Sequence, residues 1–226
     1  MATDAPQKAR CVAIIMDGNA RWAQRQDLPV LDGHREGAQA LKRIVKDAVR
    51  NELAELTVYA FSTENWSRPQ AEVDGLMAMF AELIRSETPE LKEQGVRMRF
   101  IGRRLGLSAE LRDMMDWASD ETSQQSRLKL FVAFNYGGRA EIIDAARRFD
   151  GETEEEFEAL LYAPEMSDPD LVIRTSGEHR LSNYLIWQTA YSELHFTDVL
   201  WPDFSNDDLV AALDEFESRG RRFGAR

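Results

Sequence analysis

Cysteine is all but missing from this chain: Cys11 is the only one in 226 residues. That excludes an intramolecular disulfide and any cysteine-built metal cluster, and it fits a reducing compartment. Long apolar runs are missing too. No window approaches the roughly 18 consecutive apolar residues of a membrane span. Residues 1–10 are polar and lack the apolar stretch of a secretory signal, so they are expected to form a flexible segment ahead of the fold. Positive charge is in deficit, with 28 Lys and Arg against 40 Asp and Glu and a formal charge of -12, which argues against nonspecific attraction to nucleic acid. There is no internal repeat, no low-complexity linker, no Walker loop and no dinucleotide fingerprint.

What is present is a core. With 43% hydrophobic and 30% charged residues the chain can fold as one domain, expected over residues 11–220 and followed by a basic tail at 221–226. Apolar runs of strand length at 11–16, 56–61, 97–101, 128–134 and 171–173 alternate with segments of helical period at 34–51, 73–94, 108–122 and 140–149. Alternation of this kind predicts an α/β fold, an open, mainly parallel sheet flanked by helices. Thr153 with Glu156 reads as a capping box, and Ser205 as the cap of a helix striped by Leu209, Leu213 and Phe216, with Gly220 as its stop.

Ligands of open α/β sheets bind at the carboxyl ends of strands, and three strand ends here are loaded. The first runs into Asp17-Gly18-Asn19-Ala20-Arg21-Trp22. Gly18 has no side chain to block a phosphate, the amides of Gly18 to Arg21 can donate to it, and Arg21 can close over it. Asp17 beside that phosphate suggests magnesium. The second ends in Ser62, Thr63, Glu64, Asn65, Trp66 and Arg68, more polar chemistry than a turn requires. The third carries Arg174 and Arg180 on either side of Gly177, which permits a reversal bringing both guanidinium forks to one place. Two arginine-armed loops favour two phosphorylated small molecules as substrates.

These segments occur in order as Met-Asp-Gly-Asn-x-Arg-Trp-Ala, Gly-His-x-x-Gly, Tyr-Ala-Phe-Ser-Thr-Glu-Asn-Trp-x-Arg-Pro, Asn-Tyr-Gly-Gly-Arg and Ile-Arg-Thr-x-Gly-Glu-x-Arg-Leu-Ser-Asn. In this the chain resembles the cis-prenyltransferases of the undecaprenyl diphosphate synthase kind, from about Cys11 to Gly224 and including Trp201-Pro202. The resemblance implies condensation of isopentenyl diphosphate with an allylic diphosphate, farnesyl or geranyl, releasing pyrophosphate and adding a cis isoprene unit per cycle. It implies a magnesium-dependent homodimer in the cytoplasm, meeting the membrane surface through its product, and a long-chain lipid carrier for cell-wall synthesis. The Asp-Asp-x-x-Asp motif of the all-helical trans enzymes is absent.

By the same resemblance, Gly18, Asn19, Ala20, Arg21, Trp22 and His34 hold the allylic diphosphate, and Asp17 binds magnesium and assists pyrophosphate departure. Arg68, Arg174, Arg180, Leu181 and Ser182 hold the second substrate, with Ser62, Thr63, Glu64 and Trp66 around it. Asn65 takes part in removing the proton, Glu193 is a metal-linked carboxylate at the subunit interface, and Arg222 and Gly224 belong to a tail reaching across the dimer. An amide is a poor base, so Asn65 would act by positioning or relay. His179 has a possible metal-assisting role, against the plainer one of a hydrogen-bonding or exposed residue. Asn135 to Arg139 read as a turn.

Two positions depart from the pattern: Val30 replaces a common diphosphate-binding arginine, leaving Arg25 or Arg35 as substitutes, and Ala20 replaces a common glycine. The helix after Pro69 carries Leu76, Met79, Phe80, Leu83 and Ile84 at helical spacing, either ordinary core or the wall of a product tunnel. Met77 or Met79 could adapt that wall to chain length, and Phe134 or Leu128 could be stops. A short- or medium-chain synthase, a noncatalytic partner subunit and a phosphate-binding sensor are the alternatives.

Overall fold

The computed structural model describes residues 8–219. Six strands form one sheet: β1 (Cys11–Ile15), β2 (Glu55–Ser62), β3 (Val96–Ile101), β4 (Leu128–Tyr136), β5 (Leu171–Arg174) and β6 (Glu193–Phe196). Their order is β3-β4-β2-β1-β5-β6 and every neighbouring pair is parallel. Parallel strands require crossovers, here supplied largely by α1 (Asn19–Arg25), α2 (Val30–Arg50), α3 (Gln70–Glu93), α4 (Ala109–Glu121), α5 (Gly138–Ala146) and α6 (Glu154–Glu158), while α7 (Asn206–Ser218) follows the last strand.

Both faces of the sheet are buried, which is why the strands read as continuous apolar runs. The two-residue period still sorts them. Val12 and Ile14 of β1 and Leu128, Leu130, Val132 and Phe134 of β4 join the larger core beneath the helices, with Ile44 and Leu76. Ala13, Ile15, Phe131 and Ala133 face a smaller core with Tyr136, Tyr184 and Leu185.

Five strands and four helices fall where the sequence predicts, with shifted ends. α2 and α3 start earlier, at Val30 and Gln70, because Pro29 and Pro69 stand immediately before their first turns. Proline's fixed φ and missing N–H are harmless there. The capping boxes at Thr153 and Ser205 form. α5 stops at Ala146 rather than Phe149. The strand β6 was not predicted: its four residues are too short and too polar, as Glu-Leu-His-Phe, to give a strand signal. Gly220 and the basic tail lie outside the described residues. Among the described residues no helix is long and apolar enough to cross a membrane.

Candidate active site

β1 ends level with the end of β5, Ile15 opposite Arg174, so the loops after these strands meet. Gly18 turns the first of them with φ 114°, a conformation that only glycine adopts freely. Asp17 is fixed from three sides. Its N–H donates to Thr175 Oγ1 (2.9 Å), its carbonyl accepts from that hydroxyl (2.6 Å), and its Oδ2 accepts from Arg174 Nη2 (2.9 Å). Oδ1 stays 3.7 Å from Arg21 Nη2.

Arg174 is the centre of the arrangement. Its side chain is 4% exposed, against 32% for Asp17. Nη1 donates to the Arg180 carbonyl and to Ser182 Oγ (2.7 Å), while Nε is buried without a protein partner. A buried guanidinium with an unspent donor is a ready receptor for an anionic oxygen. Arg21 is held by Ser176, whose carbonyl (2.9 Å) and Oγ both accept from it. Trp22 Nε1 donates to Asp203 Oδ1 (2.8 Å), tying α1 to the turn at Trp201–Asp203.

His34 stands in the first turns of α2 with Nδ1 3.4 Å from Asn19 Nδ2. Burial, reinforced by the Arg68 cation and opposed by Glu72, pulls its pKa from 6.5 down to about 4, so the ring is neutral at pH 7. With Asn19 as donor, the ring proton belongs on Nε2, which is buried without a protein partner, as is Asn19 Oδ1. This contact depends on two glycines one turn apart. A Cβ on Gly33 would lie 2.2 Å from the Asn19 carbonyl oxygen, and one on Gly37 would lie 2.3 Å from Asn19 Oδ1.

The end of β2 is irregular, with register shifts between Tyr59 and Ser62, and passes into a tight turn at Thr63–Ser67. Asn65 Oδ1 accepts from Ser62 N (2.9 Å). That bond fixes the orientation of the amide. Trp66 Nε1 donates to Asn135 Oδ1 (2.7 Å), and Asn135 Nδ2 binds the Arg103 and Leu105 carbonyls, so Asn135 organises the loops around it. Arg68 pairs with Glu72 at 2.9 Å.

Beneath these polar groups opens a cavity of ≈ 340 Å³, within the range of roughly 300–1,000 Å³ usual for ligand sites. Its mouth is Asp17, Asn19, His34, Ser62, Asn65, Arg68 and Arg174. Its walls are apolar: Leu41 and Val45 of α2, Leu76, Met79, Phe80 and Leu83 of α3, and Leu130, Val132 and Phe134 of the sheet. Met79 and Phe134 therefore line it, whereas Met77 and Leu128 pack in the core outside it. A charged mouth over an apolar shaft suits an amphiphile with an anionic head and a hydrocarbon tail.

Several predicted residues do not line the cavity. Arg180 is exposed and pairs with Glu178, and its carbonyl rather than its guanidinium meets Arg174. The reversal at Gly177 forms, with φ 74°, but does not bring the two forks together. Glu64 binds Asn183 (2.8 Å) and Thr63 (3.2 Å) at the surface, and Leu181 packs against the smaller core. Glu193 pairs with Leu171 across the sheet, three residues below Arg174, about 10 Å from the mouth at ~3.3 Å per residue. Arg219 binds it at 3.0 Å. His179 stacks on Phe196 with ring centroids 4.7 Å apart. Arg35, a possible substitute at Val30, is held by Asp32 at 2.6 Å. Among the described residues no three His, Cys, Asp or Glu side chains converge on a metal site. Sequence reasoning missed Thr175 and Ser176, which position Asp17 and Arg21. The hydroxyl pair directly after Arg174 was the available signal.

The fold and cavity together define an α/β enzyme site for an anionic amphiphile. The family described as "Putative undecaprenyl diphosphate synthase" matches residues 15–224, and the chain belongs to it. It is 48% identical to an isoprenyl transferase of Caulobacter vibrioides, over 94% of this chain and 86% of that protein. It is 46% identical to one of Thermotoga maritima, over 94% and 95%. Among solved structures, lavandulyl diphosphate synthase from Lavandula x intermedia, in complex with dimethylallyl diphosphate, superposes with a TM-score of 0.92 at 34% identity, covering 96% of this chain and 98% of that one. A probable undecaprenyl diphosphate synthase from Campylobacter jejuni gives 0.83 at 28%, covering 96% and 99%. The chain is a prenyltransferase of the cis-prenyl elongating family.

Proposed function

We propose that the chain condenses isopentenyl diphosphate with an allylic diphosphate, farnesyl or geranyl, and extends it by cis isoprene units with release of pyrophosphate. The observation that carries this reading is the buried Arg174, with its unpaired Nε, set at the mouth of an apolar shaft. The hydrocarbon occupies the shaft and the diphosphate lies on Arg21, His34 and the amides after Gly18. The second diphosphate lies on Arg174, Arg68 and Ser182. Neutral His34 donates from Nε2 to a phosphate oxygen without adding charge. Departure of pyrophosphate gathers negative charge on the leaving group, so fixed donors there lower the barrier more than they favour the ground state. Asn65, with its oxygen engaged by Ser62, orients the second substrate, and the departing proton goes to a pyrophosphate oxygen.

Magnesium is characteristically held by one or two carboxylates together with substrate phosphates. The partly exposed Asp17, with Oδ1 bound by no donor at hydrogen-bond distance, fits that description. Bound there, it would neutralise the leaving pyrophosphate. Glu193 would serve a metal only from a subunit interface, since within the chain it lies away from the mouth. A homodimer is part of the reading: β6 is an edge strand and exposes Leu194, with Ile186 and Tyr191 exposed in the segment before it. A cytoplasmic location, with the product drawing the protein to the membrane surface, completes it, and a cell-wall lipid carrier is the proposed use.

The test is incubation with magnesium, farnesyl diphosphate and labelled isopentenyl diphosphate, with products resolved by length beside an Asp17→Asn variant. A cis-polyprenyl ladder lost in the variant supports the proposal. Absence of incorporation with farnesyl and geranyl starters alike overturns it.

A further inference from the structure

One part of the shaft is out of keeping with the rest. Lys42 of α2 and Glu87 of α3 line it among Leu41, Val45, Ile84 and Leu91. Lys42 Nζ lies 2.7 Å from Glu87 Oε2 and 2.7 Å from Glu90 Oε2, and Lys46 Nζ lies 2.7 Å from Glu90 Oε1. Lys42 and Glu87 are 29% and 23% exposed, so each borders the cavity on one side and water on the other. Lys42 is two turns along α2 from His34, about 12 Å from the mouth at ~1.5 Å per residue. Glu87 follows Leu83 and Ile84 along α3. The bridge thus spans two helices at a lateral seam of an otherwise apolar wall.

Charges in such a wall need a reason, because apolar residues of similar volume hold two helices together at least as well. Their distinguishing property is that they repel hydrocarbon while remaining able to part into water. The carboxylate of Glu90, held by both lysines, is pulled down to about 2, and Lys42 is shifted upward by the two glutamates, so Lys42 and Glu90 stay charged across the physiological range.

We propose that the Lys42–Glu87–Glu90 bridge sets product length by closing the α2–α3 seam of the shaft to the growing chain. This rests on the prenyl-elongating reading of the site. A tail shorter than the path to the bridge is buried without disturbing it. A longer tail must displace the ion pair and pass out between the helices, so each further addition competes with release. The bridge is a specificity determinant of the reaction and touches none of the reacting atoms.

The test compares the wild type with Lys42→Ala/Glu87→Ala, using n-alkyl phosphates of increasing length as binding probes and product ladders as a second readout. In the wild type, affinity should rise by about fourfold per methylene until the tail reaches the bridge, then level off. In the double variant the break should move to longer tails and the ladder should lengthen with it. Glu87→Gln, which keeps the volume, gives a smaller shift in the same direction and serves if the double variant fails to fold. An unchanged break in the variants overturns the bridge while leaving the prenyltransferase reading intact. If alkyl phosphates show no length-dependent affinity in the wild type, the shaft takes no tail and both readings fall.

Discussion

The Asp17–Arg174 pair should respond asymmetrically to the loss of either partner. Breaking a buried ion pair by removing one member costs about 3–5 kcal/mol, chiefly because the other charge is stranded. Here the partners are unequal, with Arg174 at 4% exposure and Asp17 at 32%. Asp17→Ala strands a buried guanidinium that already has one unpaired donor. Water entering at Asp17's exposed side reduces the cost, to about 2–3 kcal/mol. For a chain of this size that is a fall in Tm of roughly 5–10 °C. Arg174→Met leaves a carboxylate that water reaches, and acceptors on the exposed residues Arg180 and Ser182. Its cost should lie within about 1 kcal/mol of zero. The double variant should therefore be no less stable than Arg174→Met alone, a coupling of about 2 kcal/mol. Both single variants should lose roughly 10²–10³ in kcat/KM. Thermal melts at pH 7 of the four proteins decide the matter. Equal losses in the two single variants, or additive losses in the double, would refute the reasoning.

His34 carries a pH signature. Its folded pKa of about 4 lies below the ordinary 6.5, so between these values the unfolded chain binds a proton that the folded one does not, and stability falls as pH falls through that window. At pH 5 the loss should be about 2 kcal/mol, measured as the narrowing gap in denaturant midpoint between wild type and His34→Gln from pH 7 to pH 5. A constant gap rejects the assignment. Gly33→Ala puts a methyl 2.2 Å from the Asn19 carbonyl oxygen. It should cost about 3 kcal/mol, read as a lowered Tm, and an unchanged Tm would mean that α1 and α2 part freely. Val30→Arg should lower KM for the allylic diphosphate several-fold with kcat nearly constant, as added uniform binding does. A steady-state titration with an unchanged KM would show that position 30 does not face that diphosphate.

The parallel sheet was legible because burial on both faces makes β1, β2 and β4 continuous apolar runs, and because two-turn helical stripes such as that of α3 are hard to mistake. The edge strand β6 was not. It has four residues and an intermediate or exposed pattern, and it exists because β5 offers it a register from Leu171 to Arg174. Long-range pairing of that sort leaves no local trace. Thr175 and Ser176 left only their adjacent hydroxyls as a signal, because their partners Asp17 and Arg21 are more than 150 positions away. The bridge at Lys42 was invisible for a related reason, because a helical register shows which residues share a face but not that two faces border one cavity.

Arg174 and Arg180 end in opposite settings, one buried against Asp17 and the other exposed beside Glu178. By residue type and setting they were equivalent, two planar forks around a glycine. Arg174 is the last residue of β5, opposite Ile15, so the sheet fixes its backbone beside the loop that presents Asp17. Once that carboxylate is within reach, burial of the guanidinium becomes tolerable. Arg180 lies beyond the reversal, where Glu178 two residues away supplies a local partner that needs no help from the fold. A charge with a neighbour in sequence is free to stay at the surface, whereas a charge whose only carboxylate lies across the sheet is drawn into the site. The distinction between the two arginines is therefore one of available partners, and it makes Arg174→Met the stronger test of catalysis and Arg180→Met the weaker.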